Sequence, residues 1–208
     1  MLECQKNLWF PKQSYINMIG IIKYIKAIVV SPLLLLMVLA TVCSSQKQII
    51  ENDLMRWEIN GNYLLNWNVY LKLSMLLICK REFRNLFYKR IGRISYLFRI
   101  ILRPLDNVSI TACQIGPGFV MIHGFMTIIN SSSIIGRNCT MMHNVTVGGG
   151  KNGSPVIGDN VFIGTGAIII GGIRIGNNVK IGAGAIVVDD IPDNSVVVCD
   201  KAKILEKR

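Results

Sequence analysis

Aliphatic residues recur every six positions through the second half of this 208-residue chain. Twelve positions share the pattern: Ile115, Met121, Ile129, Ile135, Met141, Val147, Ile157, Ile163, Ile169, Ile175, Ile181 and Val187. Only two intervals are longer, with eight residues after Met121 and ten after Val147, and glycine directly follows seven of the twelve. A six-residue period of this length is typical of a hexapeptide β-helix.

The period dictates the local structure. Each hexapeptide forms one short strand and one corner, the aliphatic residue points inward, and glycine permits the backbone conformations of a tight corner. Three hexapeptides form one triangular coil of about 18 residues, and twelve repeats make about four coils that stack about 4.8 Å apart. We therefore expect a mainly β domain over 108–208, with a core that is a column of aliphatic side chains.

Residues 1–107 form a different region, which we expect to be helical. This region carries 15 Lys and Arg against 6 Asp and Glu, a net charge of +9, whereas residues 108–208 carry 8 and 6, a net charge of +2. The six cysteines lie far apart without paired spacing, which argues against a zinc site and a disulfide framework and favours a reducing compartment. We expect no metal and a cytoplasmic location, with attachment to a membrane surface left open.

Two segments of the basic region bear on membrane attachment. Residues 27–43 form an uncharged run of 17 residues containing Pro32, at the lower limit for a membrane span. A buried helix of a soluble bundle, a membrane span and an interfacial helix all fit this run, whereas a cleaved signal peptide fits less well because a small-x-small cleavage pattern is missing.

Residues 80–103 carry eight Lys and Arg against one Glu. Apolar residues recur within them at spacings of three and four and form one helical stripe: Phe83, Leu86, Phe87, Ile91, Ile94, Leu97, Phe98 and Ile101. The pattern predicts one amphipathic helix that Pro104 ends. Such a helix either lies on anionic lipid or is an ordinary packed helix with a solvated basic face. The sequence contains no nucleic-acid-binding motif, so we expect no nucleic-acid partner.

The repeat segments carry a resemblance to a known family. They are IGPGFVMIHG (115–124), SIIGRNCTMMHNVTVGGG (133–150) and the run 156–198, preceded by EFRNLFYKRIG (82–92). These resemble the hexapeptide-repeat acyltransferases, and most closely their serine acetyltransferase branch. The resemblance implies a left-handed parallel β-helix, a homotrimer and acetyl-CoA as acyl donor.

The two histidines of the chain both stand two residues after an inward aliphatic, at His123 and His143. Continuing in steps of one coil, with the longer intervals treated as outward bulges, the same edge reads His123, His143, Thr165, Ala183. We expect the two imidazoles to stack about one strand spacing apart. Histidine suits general base catalysis near neutral pH, and small side chains suit the narrow pantetheine arm of a coenzyme.

The resemblance assigns roles to individual residues. His123 matches the catalytic histidine of the family. Gly149, Thr165, Lys180 and Ala183 match coenzyme-contacting positions, with threonine in place of the usual alanine at 165.

Several positions depart from the family pattern. Ile122 replaces an acidic residue, and Val108 falls where an aspartate orients the histidine, with only Asp106 nearby as a candidate catalytic carboxylate. Ser154 falls near the position where the family has a second active-site histidine. His143 stands where the family usually has glutamine.

These observations predict an acetyl-CoA-dependent O-acetyltransferase in which the acceptor hydroxyl attacks the thioester directly. The acceptor is either L-serine or a sugar hydroxyl of a surface polysaccharide. The alternative is a non-catalytic β-helix used for assembly or membrane attachment. The chain ends Glu206-Lys207-Arg208, where the family often ends in isoleucine, so we expect no complex with cysteine synthase.

Overall fold

The computed structural model describes residues 31–59, 68–110 and 114–200. Residues 27–30 of the apolar run and the C-terminal tail at 206–208 lie outside the described residues. None of the described helices is both long and apolar enough to cross a bilayer.

The described part of the basic region is helical. Helix α1 covers residues 31–42, and the later helices are α2 (Lys47–Ile59), α3 (Val69–Cys79), α4 (Arg81–Ile91) and α5 (Ser95–Arg99), with a 3₁₀ turn over Gly92–Ile94 before α5. Asn68 caps α3 by accepting a hydrogen bond from the backbone N–H of Tyr70 at 2.9 Å. The buried guanidinium of Arg84 donates to the carbonyls of Leu77 and Ile78 at the other end of α3.

The rest of the described chain is a parallel β-helix with three faces. Its strands are β1 (Val108–Ser109), β2 (Gln114–Ile115), β3 (Val120–Met121), β4 (Thr127–Ile129), β5 (Ile134–Ile135), β6 (Thr140–Met141), β7 (Thr146–Gly148), β8 (Val156–Ile157), β9 (Phe162–Ile163), β10 (Ile168–Ile170), β11 (Arg174–Ile175), β12 (Lys180–Ile181), β13 (Ile186–Val187) and β14 (Val196–Val197). Face A has the order β1-β4-β7-β10-β13, face B β11-β8-β5-β2, and face C β14-β12-β9-β6-β3.

The predicted fold class is confirmed: the domain is a left-handed β-helix preceded by helices. All twelve aliphatic positions of the repeat are buried. The prediction of about four coils is too low, because β1 and β14 extend faces A and C to five strands each within the described residues. Neither added strand carries the aliphatic–glycine signature of the repeat.

The helices cover the end of the β-helix where its first coil begins. Asp53 of α2 accepts hydrogen bonds from the backbone N–H groups of Gly118 and Phe119 at 2.7 and 3.2 Å, and Arg90 of α4 donates to its carboxylate at 2.9 Å. The indole of Trp57 donates to the carbonyl of Phe119 at 2.9 Å. Buried polar contacts therefore fix the helices to the first coil.

The prediction of a single helix over 80–103 is wrong. Gly92 has φ +64°, which ends α4 and turns the chain before α5. Before this turn Phe83 and Phe87 are buried as the stripe predicts. After it, Phe98 and Leu102 are buried, whereas Ile94 and other predicted stripe residues are exposed.

Candidate active site

The corners between face C and face A hold most of the predicted site residues. Strand pairing aligns Met121 with Met141, Met141 with Ile163, and Ile163 with Ile181. In the later coils the corner residues are aligned as well as the strands. The N–H of Gly166 donates to the carbonyl of His143 at 3.2 Å, and the N–H of Gly184 donates to that of Thr165 at 2.8 Å. His143, Thr165 and Ala183 therefore form one ladder along successive coils.

His123 does not continue this ladder. The N–H of Phe125 donates to the carbonyl of His123 at 2.7 Å, which closes a tight turn, and the N–H of Asn144 donates to the carbonyl of Phe125 at 3.0 Å. Met126 and Asn144 share the same left-handed backbone, with φ of 56° and 57°. Phe125 thus occupies the place aligned with His143, and the two extra residues of this corner form a bulge that contains His123.

The expected stack of two imidazoles is therefore corrected to a stack of phenylalanine on histidine. The rings of Phe125 and His143 lie 4.8 Å apart between centroids at an interplanar angle of 21°. His143 is half-buried, and its Nδ1 atom is buried without a hydrogen-bond partner among the described residues. This nitrogen lacks the partner that a buried polar atom normally has.

His123 is exposed on its bulge and has φ +51°. Left-handed backbone is uncommon for residues other than glycine, and such strain persists where the surrounding structure enforces it. Here the paired strands β3 and β4 on either side fix the ends of the bulge. The structure thus combines a strained backbone at His123 with a side chain that is exposed at the corner.

Asp106 lies just before β1, at the end of face A that borders the His123 bulge, and its described partner is an arginine. Its carboxylate is 86% exposed and lies 3.7 Å from Nη2 of Arg81. Asp106 also lines a cleft of about 510 Å³ with Lys89, Arg93 and Arg99, and neither histidine is among the residues that line it. Within the described residues, the structure therefore places Asp106 beside Arg81 and does not show it beside either histidine.

Gly149 lies at a different corner, between faces A and B. A Cβ atom added there would approach the side chains of Asn130 and Ser154 to 3.1 Å. Ser154 donates to Oδ1 of Asn130 at 3.1 Å, and the N–H of Gly150 donates to the carbonyl of Gly153 at 2.8 Å, so the loop folds tightly over this corner. One chain therefore does not bring Gly149 together with Thr165 and Ala183.

Lys180 lies on β12 of face C, three residues before Ala183 along the chain. Its side chain is exposed, and its backbone N–H donates to the carbonyl of Ser195 at 2.9 Å. The ammonium group is accessible to an anionic ligand that follows the corner of Thr165 and Ala183.

Residues 154–189 match the family model described as Bacterial transferase hexapeptide (six repeats). The chain is 41% identical over 112 residues to the putative colanic acid biosynthesis acetyltransferase WcaB of Escherichia coli K12, covering 52% of this chain and 69% of that protein. It is 37% identical over 118 residues to probable serine acetyltransferase 1 of rice, covering 55% of this chain and 37% of that protein. The chain belongs to the hexapeptide-repeat acetyltransferases, in their serine acetyltransferase-like branch.

Solved structures of the family agree with this assignment. The serine acetyltransferase of Neisseria gonorrhoeae in complex with serine superposes with a TM-score of 0.61 at 30% identity, covering 79% of this chain and 71% of that one. Serine acetyltransferase 1 of Entamoeba histolytica in complex with L-cysteine superposes with a TM-score of 0.61 at 25% identity, covering 88% of this chain and 76% of that chain. The likeness thus includes part of the helical region as well as the β-helix.

The sequence did not predict one feature of the candidate site, namely the position of Phe125 on the ladder, where its ring stacks on His143. The repeat pattern shows that two residues are inserted between Met121 and Ile129 but not which residues leave the ladder. Counting back two positions from the first inward side chain of face A identifies the ladder residue, and in this coil that inward side chain is Thr127. The same count from Val145 leads to His143 and from Thr127 to Phe125.

Proposed function

We propose that this chain is an acetyl-CoA-dependent O-acetyltransferase with His123 as general base. One observation carries the proposal: an exposed histidine projects from the corner where Thr165 and Ala183 form a floor of small side chains in later coils. The narrow, mostly neutral pantetheine arm fits such a floor, and Lys180 is accessible to the phosphates of the coenzyme.

The chemistry is a direct transfer. His123 takes the proton of the acceptor hydroxyl as its oxygen bonds to the thioester carbonyl carbon. The carbon–sulfur bond then breaks, the acetyl group remains on the acceptor oxygen, and the thiolate of coenzyme A leaves and regains a proton. His143 stacks on Phe125 at the same corner, and because its Nδ1 is buried, only the accessible part of its half-buried ring can face a substrate.

We propose a sugar hydroxyl of a surface polysaccharide as the acceptor, in preference to L-serine. The ammonium group of an amino acid is costly to desolvate without an acidic partner. Ile122 precedes the base, Val108 stands where an acid would be expected, and the carboxylate of Asp106 faces solvent and Arg81. The colanic acid name of the Escherichia coli relative supports the same choice.

A thiol-release assay with acetyl-CoA tests the acceptor. We expect L-serine to be used with a Michaelis constant in the millimolar range or poorer, and a glycan with free hydroxyls to be used better. Ile122→Asp should improve serine use, because it supplies an anion beside the base, whereas the uncharged control Ile122→Asn should not. Micromolar use of L-serine by the unaltered protein would establish serine as the acceptor, and no thiol release with any acceptor would favour a non-catalytic scaffold.

We further propose that the site is completed by a second copy in a homotrimer. Face A carries an outward row in which Ile128, Thr146, Ile168 and Ile186 lie in register. Gly149 borders this face on one side, and Thr165 and Ala183 border it on the other. Packing face A against neighbouring copies would bury the row and bring the Gly149 corner of one chain to the Ala183 corner of the next.

Charge introduced into this row should dissociate the trimer. Ile186 is 68% exposed in the single chain. Ile186→Glu should therefore lower the mass measured by light scattering from three chains to one and reduce acetyl transfer with it, because burying an unpaired carboxylate is costly. Leu71→Glu, on the exposed side of α3, is the control and should leave the mass unchanged. A stable, active monomer of the unaltered protein would contradict the shared site.

A further inference from the structure

The segment between α4 and the β-helix presents an unusual outer surface. Eight exposed side chains within residues 93–103 compose it, and we call it the arginine–apolar surface: Arg93, Ile94, Tyr96, Leu97, Arg99, Ile100, Ile101 and Arg103. The opposite side of the same segment is buried through Ser95, Phe98 and Leu102. The same short segment therefore has a buried side, which anchors it to the protein, and an exposed side.

The anchor holds this surface outward. The hydroxyl of Tyr88 donates to the carbonyl of Leu102 at 2.7 Å, and the guanidinium of Arg84 donates to the carbonyl of Arg103 at 2.7 Å. Phe98 and Leu102 are nearly inaccessible to solvent. Rotation of the segment to bury its exposed side would break these contacts, so the apolar side chains remain outside.

The exposed apolar side chains are too large and too close together to be incidental. Five of them lie within eight residues, and their exposed fractions range from 45% for Ile94 to 77% for Ile100. A contiguous apolar patch rimmed by polar groups marks an interaction site with a protein or a membrane.

The charge within the segment that carries the patch has a single sign, and the nearest acid along the chain, Asp106, lies beyond the segment in a cleft shared with Arg93 and Arg99. No Asp or Glu occurs between Glu82 and Asp106. Arg90 in this interval is engaged with Asp53, whereas Arg93, Arg99 and Arg103 are exposed at the patch. Arg99 lies over the ring of Tyr96 at 5.1 Å, which combines an aromatic side chain with a cation at the surface.

The charge pattern decides between the two kinds of occupant. A second copy that presented the same surface would set arginines against arginines. Asp159, Asp190 and Asp193 of the β-helix already accept hydrogen bonds from backbone N–H groups of the neighbouring coil. An anionic bilayer supplies phosphates for the arginines and an acyl boundary for isoleucine, leucine and tyrosine at once.

We propose that the arginine–apolar surface docks this protein onto anionic phospholipid membranes. The inference does not depend on the acetyl-transfer proposal. The surface ends five residues before β1, which pairs with β4 directly after the His123 bulge. Docking would therefore hold the first coil, and with it the candidate active site, close to the bilayer.

Sedimentation of the full chain with vesicles tests the proposal. The probes are vesicles of phosphatidylcholine containing about a third phosphatidylglycerol, and vesicles of phosphatidylcholine alone. Arg93→Gln with Arg103→Gln should lower the partition coefficient on the anionic vesicles about 25-fold, since each basic residue near such a surface contributes about a factor of five. The matched control, Arg137→Gln with Arg174→Gln, removes the same charge from the β-helix and should change binding little.

A second variant addresses the apolar part. Leu97→Asn with Ile100→Asn should weaken binding to the anionic vesicles, and Leu71→Asn on α3 should not. Equal binding of the Arg93/Arg103 and Arg137/Arg174 variants would overturn the proposal, as would equal binding to charged and neutral vesicles. A change in oligomer mass on altering this surface, with unchanged vesicle binding, would assign it to a contact between copies instead.

Discussion

His123→Ala should lower the turnover number for acetyl transfer by roughly 10²–10⁴, the usual contribution of a general base. The affinity for the coenzyme should change little, because Thr165, Lys180 and Ala183 lie in other coils and keep their backbone pairing. Steady-state kinetics by thiol release, with coenzyme A binding measured separately, checks both parts.

His143→Gln is the matched control for this substitution. Glutamine keeps hydrogen-bonding groups at the position while losing the titratable ring, and its amide can still contact Phe125. We expect a much smaller loss of turnover than for His123→Ala. If the His143 variant is the more severely impaired, then the base is the half-buried imidazole on the ladder and not the exposed one on the bulge.

Asp53→Ala should lower the free energy of unfolding by about 3–5 kcal/mol, the range for breaking a buried ion pair. Asp53 is 1% exposed, and its carboxylate receives Arg90 and two backbone N–H groups of the first coil. Burial raises the pKa of this carboxyl, and these same partners act against the rise. Removing the carboxylate would leave the Arg90 cation buried and two backbone donors without an acceptor.

Urea denaturation of the two variants Asp53→Ala and Glu51→Ala measures the effect. Both substitutions remove an acid from α2, but Glu51 forms only a partly exposed pair with Lys47 at 4.0 Å, which contributes at most about 1 kcal/mol. A loss of similar size in both variants would show that the helices are not fixed to the β-helix through Asp53.

The sequence predicts the β-helix well because its period is a packing requirement. Each inward position must hold an aliphatic side chain, so the repeat reveals both the strands and their alignment, including Met121 with Met141. The repeat does not reveal the first and last strands, β1 and β14. Val108–Ser109 and Val196–Val197 lie outside the twelve-position series, and neither contains an aliphatic residue directly followed by glycine, so the pattern does not mark them as strands.

The site was less predictable, because irregularities decide its geometry. The interval after Met121 reveals two extra residues, but only backbone pairing shows that His123 leaves the ladder and that Phe125 replaces it. The pair of Asp53 and Arg90 joins residues 37 positions apart in a region without a repeat. The prediction of one continuous helix over 80–103 is wrong because Gly92 adopts a left-handed backbone conformation and changes the direction of the chain.

The alignment of corners also restricts how genes for this fold can change in length. Inserting one six-residue repeat between His143 and Thr165 would turn every later residue by one face and carry Thr165 and Ala183 to another corner. A whole coil of about 18 residues would preserve the face of each residue but move the two halves of the site apart by about 4.8 Å. Small insertions that bulge at a corner, as around His123 and over 148–156, leave all later faces in place. Evolution of new acceptor preferences in this fold is thereby channelled into the lengths of corner loops, while the strands between them are inherited almost as fixed units.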